Sequence, residues 1–357
     1  MANIVHILGT GTIGSPLVSL LNRHKKDFDI DEVTFHKNTP LKTDMAGIKQ
    51  LIAEGAILST DKDKFKEFEE LGVKPKHDRE EAIKRATIVV DATPKGFGTE
   101  NKAKYYDKFK NVVKGFIAQG SESGFGKPFA YQINNEALTK DDQFIQVVSC
   151  NTHNICALVK TFYDDISEGR FVCIRRASDV SQNDDFVSGI EVDKHKDYCF
   201  GTHHARDAYR VFQTFDDPSD IPDLYSSSCI VPTQYMHAVH FSMTVNVYNL
   251  DNVIKAFKNN KMIATTDKTT SNTIFSFGRD YGHYGRILNQ TVVSIPTLQV
   301  KQIYDDLHSI TGFCFTPQDA NSLMSSVAAT LWFLNDKNWG RVEEKIKVLD
   351  PYLFKEI

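Results

Sequence analysis

A short apolar run from Asn3 to Leu8 leads straight into Gly9-Thr10-Gly11-Thr12-Ile13-Gly14, and a helical pattern, SPLVSLLNRH, follows at once. This order of strand, glycine turn and helix constrains the chain more than any other feature. Glycines at G-x-G-x-x-G spacing permit a tight turn and close backbone approach. The helix start behind them offers unpaired N–H groups to a pyrophosphate. The pattern points to a dinucleotide held by Gly9, Gly11 and Gly14, with a purely structural glycine turn as the alternative.

The strand DEVTFH ends near His36, and helical stretches fall around 41–54 and 63–71. DREEAIKRA then leads into the apolar TIVVDAT, and the helical TENKAKYYDKF precedes the strand GFIAQG. Strands that alternate with helices build a mostly parallel sheet covered on both faces. In such units an acid at the end of the second strand usually holds the adenosine ribose of NAD. Here Asp29, Asp31 and Glu32 come before or at the strand start, and its end reads His36-Lys37-Asn38-Thr39. Lys37 and its neighbours would welcome a 2′-phosphate, so the sequence predicts that NADP serves at least as well as NAD. A solvated loop is the competing reading.

From about residue 143 the texture changes. FIQVVS is followed by the helical NTHNICALVKTFYDD, then by longer strand-like segments: GRFVCIRRAS, SSSCIVP, HAVHFSMTVNVYNL and ILNQTVVSI. Extended runs with few intervening helices indicate a largely antiparallel sheet. Helical material returns from Pro317, and the polar stretches SQNDDFVSG and DDPSDIPD read as surface connections. The 357 residues make two domains the expectation at roughly 150 residues each.

Net charge is −4, which argues against a polybasic nucleic-acid or membrane-surface binder. No apolar run approaches the roughly 18 residues of a membrane-spanning helix, and MANIVHILG does not read as a signal peptide. The six cysteines form no C-x-x-C pair and are too few for a disulfide scaffold in a chain of 357 residues. A reducing cytoplasm is the expected setting.

Cys150 falls where a strand turns into a helix, and a thiol at a helix start is shifted toward the nucleophilic thiolate. Cys156, Cys173, Cys229 and Cys314 lie in apolar patterns and read as small core residues. His203-His204, His237 and His240 are the histidines available to such a site. On a strand His237 and His240 face opposite sides, so only one of them can serve it. Neither pair converges readily on a metal, and no metal is expected.

Seven segments occur together in order: GTGTIG, VVDATPKGFGTENKAKYY, AQG, VVSCNT, IRRASD, HHARD and VPTQYMHAVH. With them the chain resembles archaeal-type (class II) glyceraldehyde-3-phosphate dehydrogenases over about residues 3 to 240, and more loosely from FTPQ onward. The resemblance implies Cys150 as nucleophile and His237 as general base. It also implies Thr12, Ile13, Gly120 and Arg176 as cofactor positions, with Gln302 as a further candidate and Gln299 as runner-up. Ser149, Asn151, Thr152, His203 and His204 match or neighbour substrate and phosphate positions, with Arg175 available beside them. The expected fold is α/β: a Rossmann-type nucleotide-binding domain (1–149 with about 317–357) and an α+β catalytic and tetramerisation domain (150–316) with a mostly antiparallel sheet.

The implied reaction is NAD(P)-dependent oxidation of glyceraldehyde 3-phosphate to 1,3-bisphosphoglycerate. It runs through a thiohemiacetal and a thioester that inorganic phosphate cleaves, in a homotetramer. The usual SCNTTG reads SCNTHN here, placing His153-Asn154 beside the nucleophile. The alternatives are an aspartate-semialdehyde or N-acetylglutamyl-phosphate type of dehydrogenase, or an NAD(P)-binding protein without catalysis. The first is disfavoured because Ser149 precedes the cysteine and Asn151 follows it.

Overall fold

The computed structural model describes residues 2–178, 187–215, 217, 221–246, 248–317 and 320–357. Parts of SQNDDFVSG and DDPSDIPD lie outside these residues. The chain divides into two units. The first is Met1–Phe129, Leu138–Val147 and Ser325–Val348; the second is Ala130–Ala137, Val148–Met324 and Leu349–Ile357.

The first unit runs β1 (Ile4–Leu8), α1 (Gly14–Arg23), β2 (Glu32–His36), α2 (Met45–Ala53), β3 (Ile57–Thr60), α3 (Phe65–Glu70) and β4 (His77–Asp78). It continues with α4 (Arg79–Arg85), β5 (Ile88–Asp91), α5 (Phe97–Lys104), β6 (Gly115–Gln119), β7 (Lys127–Phe129) and β8 (Phe144–Val147). The strands form one sheet in the order β4-β3-β2-β1-β5-β6-β8-β7, and every neighbouring pair is parallel. β1, β5 and β6 are buried at every position, as strands covered on both faces must be. That explains why they read as nearly unbroken apolar runs. His6 interrupts β1, and its Nδ1 meets the Thr34 hydroxyl of β2 at 2.7 Å.

Strand order reverses between β1 and β5, so the ligand crevice of such a sheet opens at their carboxyl ends. The glycine turn sits there. Gly9 has φ +93°, and a Cβ on it would lie 2.7 Å from the Ala92 carbonyl oxygen. A Cβ on Gly14 would lie 2.1 Å from the carbonyl oxygen of Gly9. A Cβ on Gly11 would meet nothing within 4 Å. Two glycines are thus required by the protein's own packing, whereas Gly11 borders open space.

The second unit runs α6 (Cys150–Thr161), β9 (Ile166–Arg176), β10 (Glu191–Val192), α7 (His203–Phe212), β11 (Asp223–Val231) and β12 (His237–Asn246). Then come α8 (Leu250–Asn259), β13 (Ile263–Thr266), α9 (Ser271–Tyr281), β14 (Thr291–Ser294), β15 (Gln299–Tyr304) and β16 (Leu307–Thr316). Its sheet has the order β10-β11-β9-β12-β16-β14-β13, with β15 also on β16. The pairs β9–β11 and β13–β14 are parallel and the others antiparallel, so the sheet is mixed with antiparallel pairs predominating. β12 alternates buried and half-buried residues. The buried face packs with apolar residues of α6, α7 and α8.

Neither α8 nor α9 is among the elements expected from sequence. Their buried residues are only Val253 and Phe257, and Ile274 and Gly278, yet Leu250, Val253, Ile254 and Phe257 fall at the i, i+3, i+4, i+7 spacing of an amphipathic helix. Two last helices are α10 (Asn321–Leu334) and α11 (Trp339–Ile346). α10 from Ser325 onward and α11 supply the C-terminal part of the first unit, and the first turn of α10 belongs to the second. Residues 349–357 group with the second unit, where the Thr265 N–H donates to the Lys355 carbonyl at 3.0 Å.

The glycine geometry predicts opposite outcomes for two alanine substitutions. Gly14→Ala should destabilise the protein by about 1–3 kcal/mol, as overpacking does. Gly11→Ala should stay within about 0.5 kcal/mol of the parent. Urea denaturation of both variants reads the difference, and equal losses would contradict this packing.

Candidate active site

Asn151, Thr152, His153 and Asn154, in the first turns of α6, are all buried. Four adjacent polar side chains in a core need partners, since an unmet buried donor or acceptor costs about 1–3 kcal/mol. Cys150, half-buried, is the first helical residue, and Ser149 precedes it as the N-cap. The Ser149 hydroxyl meets that of Thr152 at 2.8 Å. Asn151 Oδ1 accepts from the Thr316 hydroxyl at 3.1 Å, and its Nδ2 lies 3.4 Å from His204 Nε2. Asn154 Nδ2 donates to the Thr316 hydroxyl at 2.8 Å, and its Oδ1 accepts from Cys314 Sγ at 3.2 Å.

Thr316 is the cross-strand partner of His237. Residues directly opposite in a sheet share a face, so His237 lies on the face that α6 covers, while His240 lies on the other. The β9–β12 register brings Arg175 to the same face as His237, one step beyond the Ile174–Ala238 pair. Arg176 turns the other way. Its Nη1 donates to the carbonyls of Gln234 and Tyr235 at 3.3 and 3.4 Å, and its main-chain N–H donates to His237 Nδ1 at 2.9 Å. An acceptor Nδ1 in a neutral ring leaves the proton on Nε2. Burial, then Arg176 and Arg175, hold the His237 pKa down to about 3. The base role implied by resemblance therefore meets a ring that, at rest, offers a donor.

His203 and His204 open α7, which has Thr202 as its N-cap. His204 Nδ1 lies 3.1 Å from the Thr202 hydroxyl, which lies 2.7 Å from that of Ser226. Ser226 Oγ in turn accepts the Ala205 N–H at 3.0 Å. Burial above all keeps His204 neutral. With both ring nitrogens engaged, His204 joins the two helix starts and supplies no cation. Arg175 is a cationic group on this face, and its Nη2 donates to Asp193 at 2.6 Å.

Burial pushes Cys156 and Cys173 up, and Cys314 up to about 12. Cys229, expected in the core, is half-buried; Cys199 is exposed.

At the nucleotide end Gly11 is exposed, Thr12 and Ile13 are half-buried, and no side chain caps α1. Gly120 has φ +78°, and a Cβ there would meet nothing within 4 Å. Bare backbone beside open space at Gly11 and Gly120 fits a dinucleotide. Lys37 pairs with Asp44 at 2.5 Å. His36 is buried, and burial followed by the Arg79 charge lowers its pKa to about 3, so it adds no cation beside Lys37.

Gln302 stands apart from the Cys150 cluster. It pairs with His308, near the opposite end of β16 from Thr316, and its Nε2 donates to the Asp305 carbonyl at 3.1 Å. Gln299 is exposed on the same edge strand. Sequence reasoning misses Asn321, whose Nδ2 donates to the carbonyls of Cys150 at 2.8 Å and Gln290 at 3.2 Å. The one available signal is an asparagine just ahead of an apolar helix.

Among the described residues no group of three or more His, Cys, Asp or Glu is arranged to hold a metal, and no helix is long and apolar enough to cross a membrane. No protein-family model matches the chain. It is similar to curated archaeal proteins named glyceraldehyde-3-phosphate dehydrogenase. One from Methanocaldococcus jannaschii is 29% identical over 243 residues, covering 65% of this chain and 67% of the relative. One from Sulfolobus acidocaldarius is 26% identical over 302 residues, covering 81% of each. One from Pyrobaculum islandicum is 27% identical over 275 residues, covering 74% of this chain and 72% of the relative.

His6, His36, His153, His204 and His237 all have lowered pKa values, burial being the first cause in each. Unfolded, they would protonate near 6.5. Below that pH the unfolded chain binds more protons, so stability rises with pH there. The urea midpoint should be level above about pH 7 and fall steadily from pH 6.5 to 5, before most carboxylates titrate. A level midpoint down to pH 5 would contradict five buried neutral rings.

Proposed function

We infer that this chain is an aldehyde dehydrogenase acting through an acyl-cysteine. Its reaction is the oxidation of glyceraldehyde 3-phosphate, the activity named for its archaeal relatives, a step of glycolysis and its reversal. The observation that carries this reading is the setting of Cys150. A half-buried thiol begins a twelve-residue helix whose second residue is tied both to a second helix start and to the strand opposite His237.

The Cys150 thiolate adds to the aldehyde carbon, forming a C–S bond and leaving the carbonyl electron pair on oxygen. Main-chain N–H groups at the start of α6 and the Nε2–H of His237 are donors for that oxyanion. Its lone pair re-forms the carbonyl as hydride departs, and the product is a thioester on Cys150. A nicotinamide dinucleotide, when bound, accepts the hydride; the backbone at Gly9, Gly11, Thr12, Ile13, Gly14 and Gly120 would hold it. Inorganic phosphate attacks the thioester, the C–S bond breaks, and the thiolate returns as 1,3-bisphosphoglycerate leaves. Arg175, Ser149, Thr152, His203 and the starts of α6 and α7 provide the positive charge and donors that two phosphates require.

The second sheet leaves Val172 and Phe313 exposed on the face away from the helices, and that face is proposed as the contact between copies in a homotetramer. None of the six cysteines is in a disulfide, and a cytoplasmic setting is proposed.

Cys150→Ser should abolish oxidation of the triose phosphate while leaving dinucleotide binding intact. His237→Asn should lower turnover by about 10²–10³-fold, the range for a lost oxyanion donor. His237→Gln, whose amide nitrogen reaches toward the Nε2 position, should keep clearly more activity, and His240→Asn nearly all. Steady-state kinetics separates the roles: equal losses in the Asn and Gln variants would restore a base. Turnover of aspartate semialdehyde with none of the triose phosphate would overturn the substrate.

NADP is proposed to serve at least as well as NAD, with Lys37 turning from Asp44 to the 2′-phosphate. Such a partly exposed pair contributes on the order of 1 kcal/mol. Asp44→Asn should therefore raise kcat/KM for NADP several-fold over that for NAD, and Lys37→Glu should do the reverse. An unchanged cofactor ratio in both variants would remove Lys37 from the site.

A further inference from the structure

Of the four buried polar residues that open α6, His153 has no part in the chemistry above. It nonetheless holds the peptide on which that chemistry turns. The Ser149 carbonyl receives two hydrogen bonds from this one residue, from the main-chain N–H at 2.9 Å and from Nδ1 at 3.0 Å. A carbonyl oxygen only accepts, so Nδ1 carries the proton. Burial lowers the His153 pKa to about 4, and the ring stays neutral across the working range.

The peptide unit is planar, with its C=O and N–H antiparallel. Fixing the Ser149 carbonyl fixes the Cys150 N–H on the other side of the same plane. At a helix start that N–H points out of the helix, beside the thiol. A donor on the carbonyl also polarises the unit and strengthens the N–H as a donor. Asn154 acts elsewhere, tying the helix to Thr316 and Cys314.

We propose that His153 is a positioning residue for Cys150, setting the Ser149–Cys150 peptide so that its N–H meets the oxyanion formed on the neighbouring thiol. This rests on Cys150 being the nucleophile.

The test compares His153→Leu, which fills the volume without a donor, with His153→Asn, whose Nδ2 stands where Nδ1 stood. In the Leu variant kcat should fall about ten-fold with KM nearly unchanged, a part of the 10²–10³ lost with an oxyanion donor itself. Iodoacetamide labelling of Cys150, followed by peptide mass spectrometry, should slow as well. His153→Asn should recover most of both at similar thermal stability. Wild-type kcat and labelling in the Leu variant, or equal losses in the two variants, would overturn the proposal. If His153→Leu does not fold, His153→Met takes its place, and failure of both to fold would overturn it in favour of a purely structural role. Labelling needs no substrate, so a wrong aldehyde leaves this test standing. A wild-type Cys150 that labels no faster than exposed Cys199 would instead sink the nucleophile reading.

Discussion

The second unit depends on the burial of a polar helix start. Asn151, Thr152, His153 and Asn154 lie in a core, and that is tolerable only where donors and acceptors are met. Meeting them ties α6 to β16 through Thr316, to α7 through His204, and back onto its own first peptide through His153. The same bonds hold the surroundings of Cys150 at fixed register. Positional precision here is a by-product of satisfying buried hydrogen bonds, and a looser helix start would lose stability and geometry together.

The first unit rests on a different constraint, close approach of backbones. β1 and β5 carry almost nothing but apolar side chains between covering helices. At their carboxyl ends the chain passes so near itself that Gly9 and Gly14 admit no side chain. Asp91, at the end of β5, is buried among the Asn101 amide at 2.8 Å, the Tyr106 hydroxyl at 2.5 Å and the Thr93 N–H at 3.0 Å. It secures the loop that follows the strand, so the DATP segment serves architecture at that position.

What the sequence makes legible are features carried by neighbours in the chain. The glycine turn, the parallel order of strands and helices, and a cysteine where a strand gives way to a helix all lie within short windows. The opposite facing of His237 and His240 follows from strand alternation alone. Other features need partners far off in sequence. Choosing Arg175 over Arg176 for the His237 face requires the β9–β12 register, and Asn321 reaches the Cys150 carbonyl across 171 residues. Lys37 looks unopposed until the short helical turn before α2 brings Asp44 to it. Gln302 looks suitable by its place ahead of FTPQ, yet edge-strand geometry takes it away from the cluster. His204 appears cationic in a list of residues, and burial between elements distant in sequence keeps it neutral.

The bond that orients His237 comes from a peptide N–H, and this bears on how the protein can drift. Any amino acid except proline at position 176 presents that donor, so the tautomer of the imidazole is inherited with the fold rather than with a side chain. Lineages can exchange the arginine, with its own hold on the loop at 234–235, and still transmit the same ring chemistry. Robustness of this kind leaves no trace in a comparison of residue identities, because what persists is a strand position and not a letter.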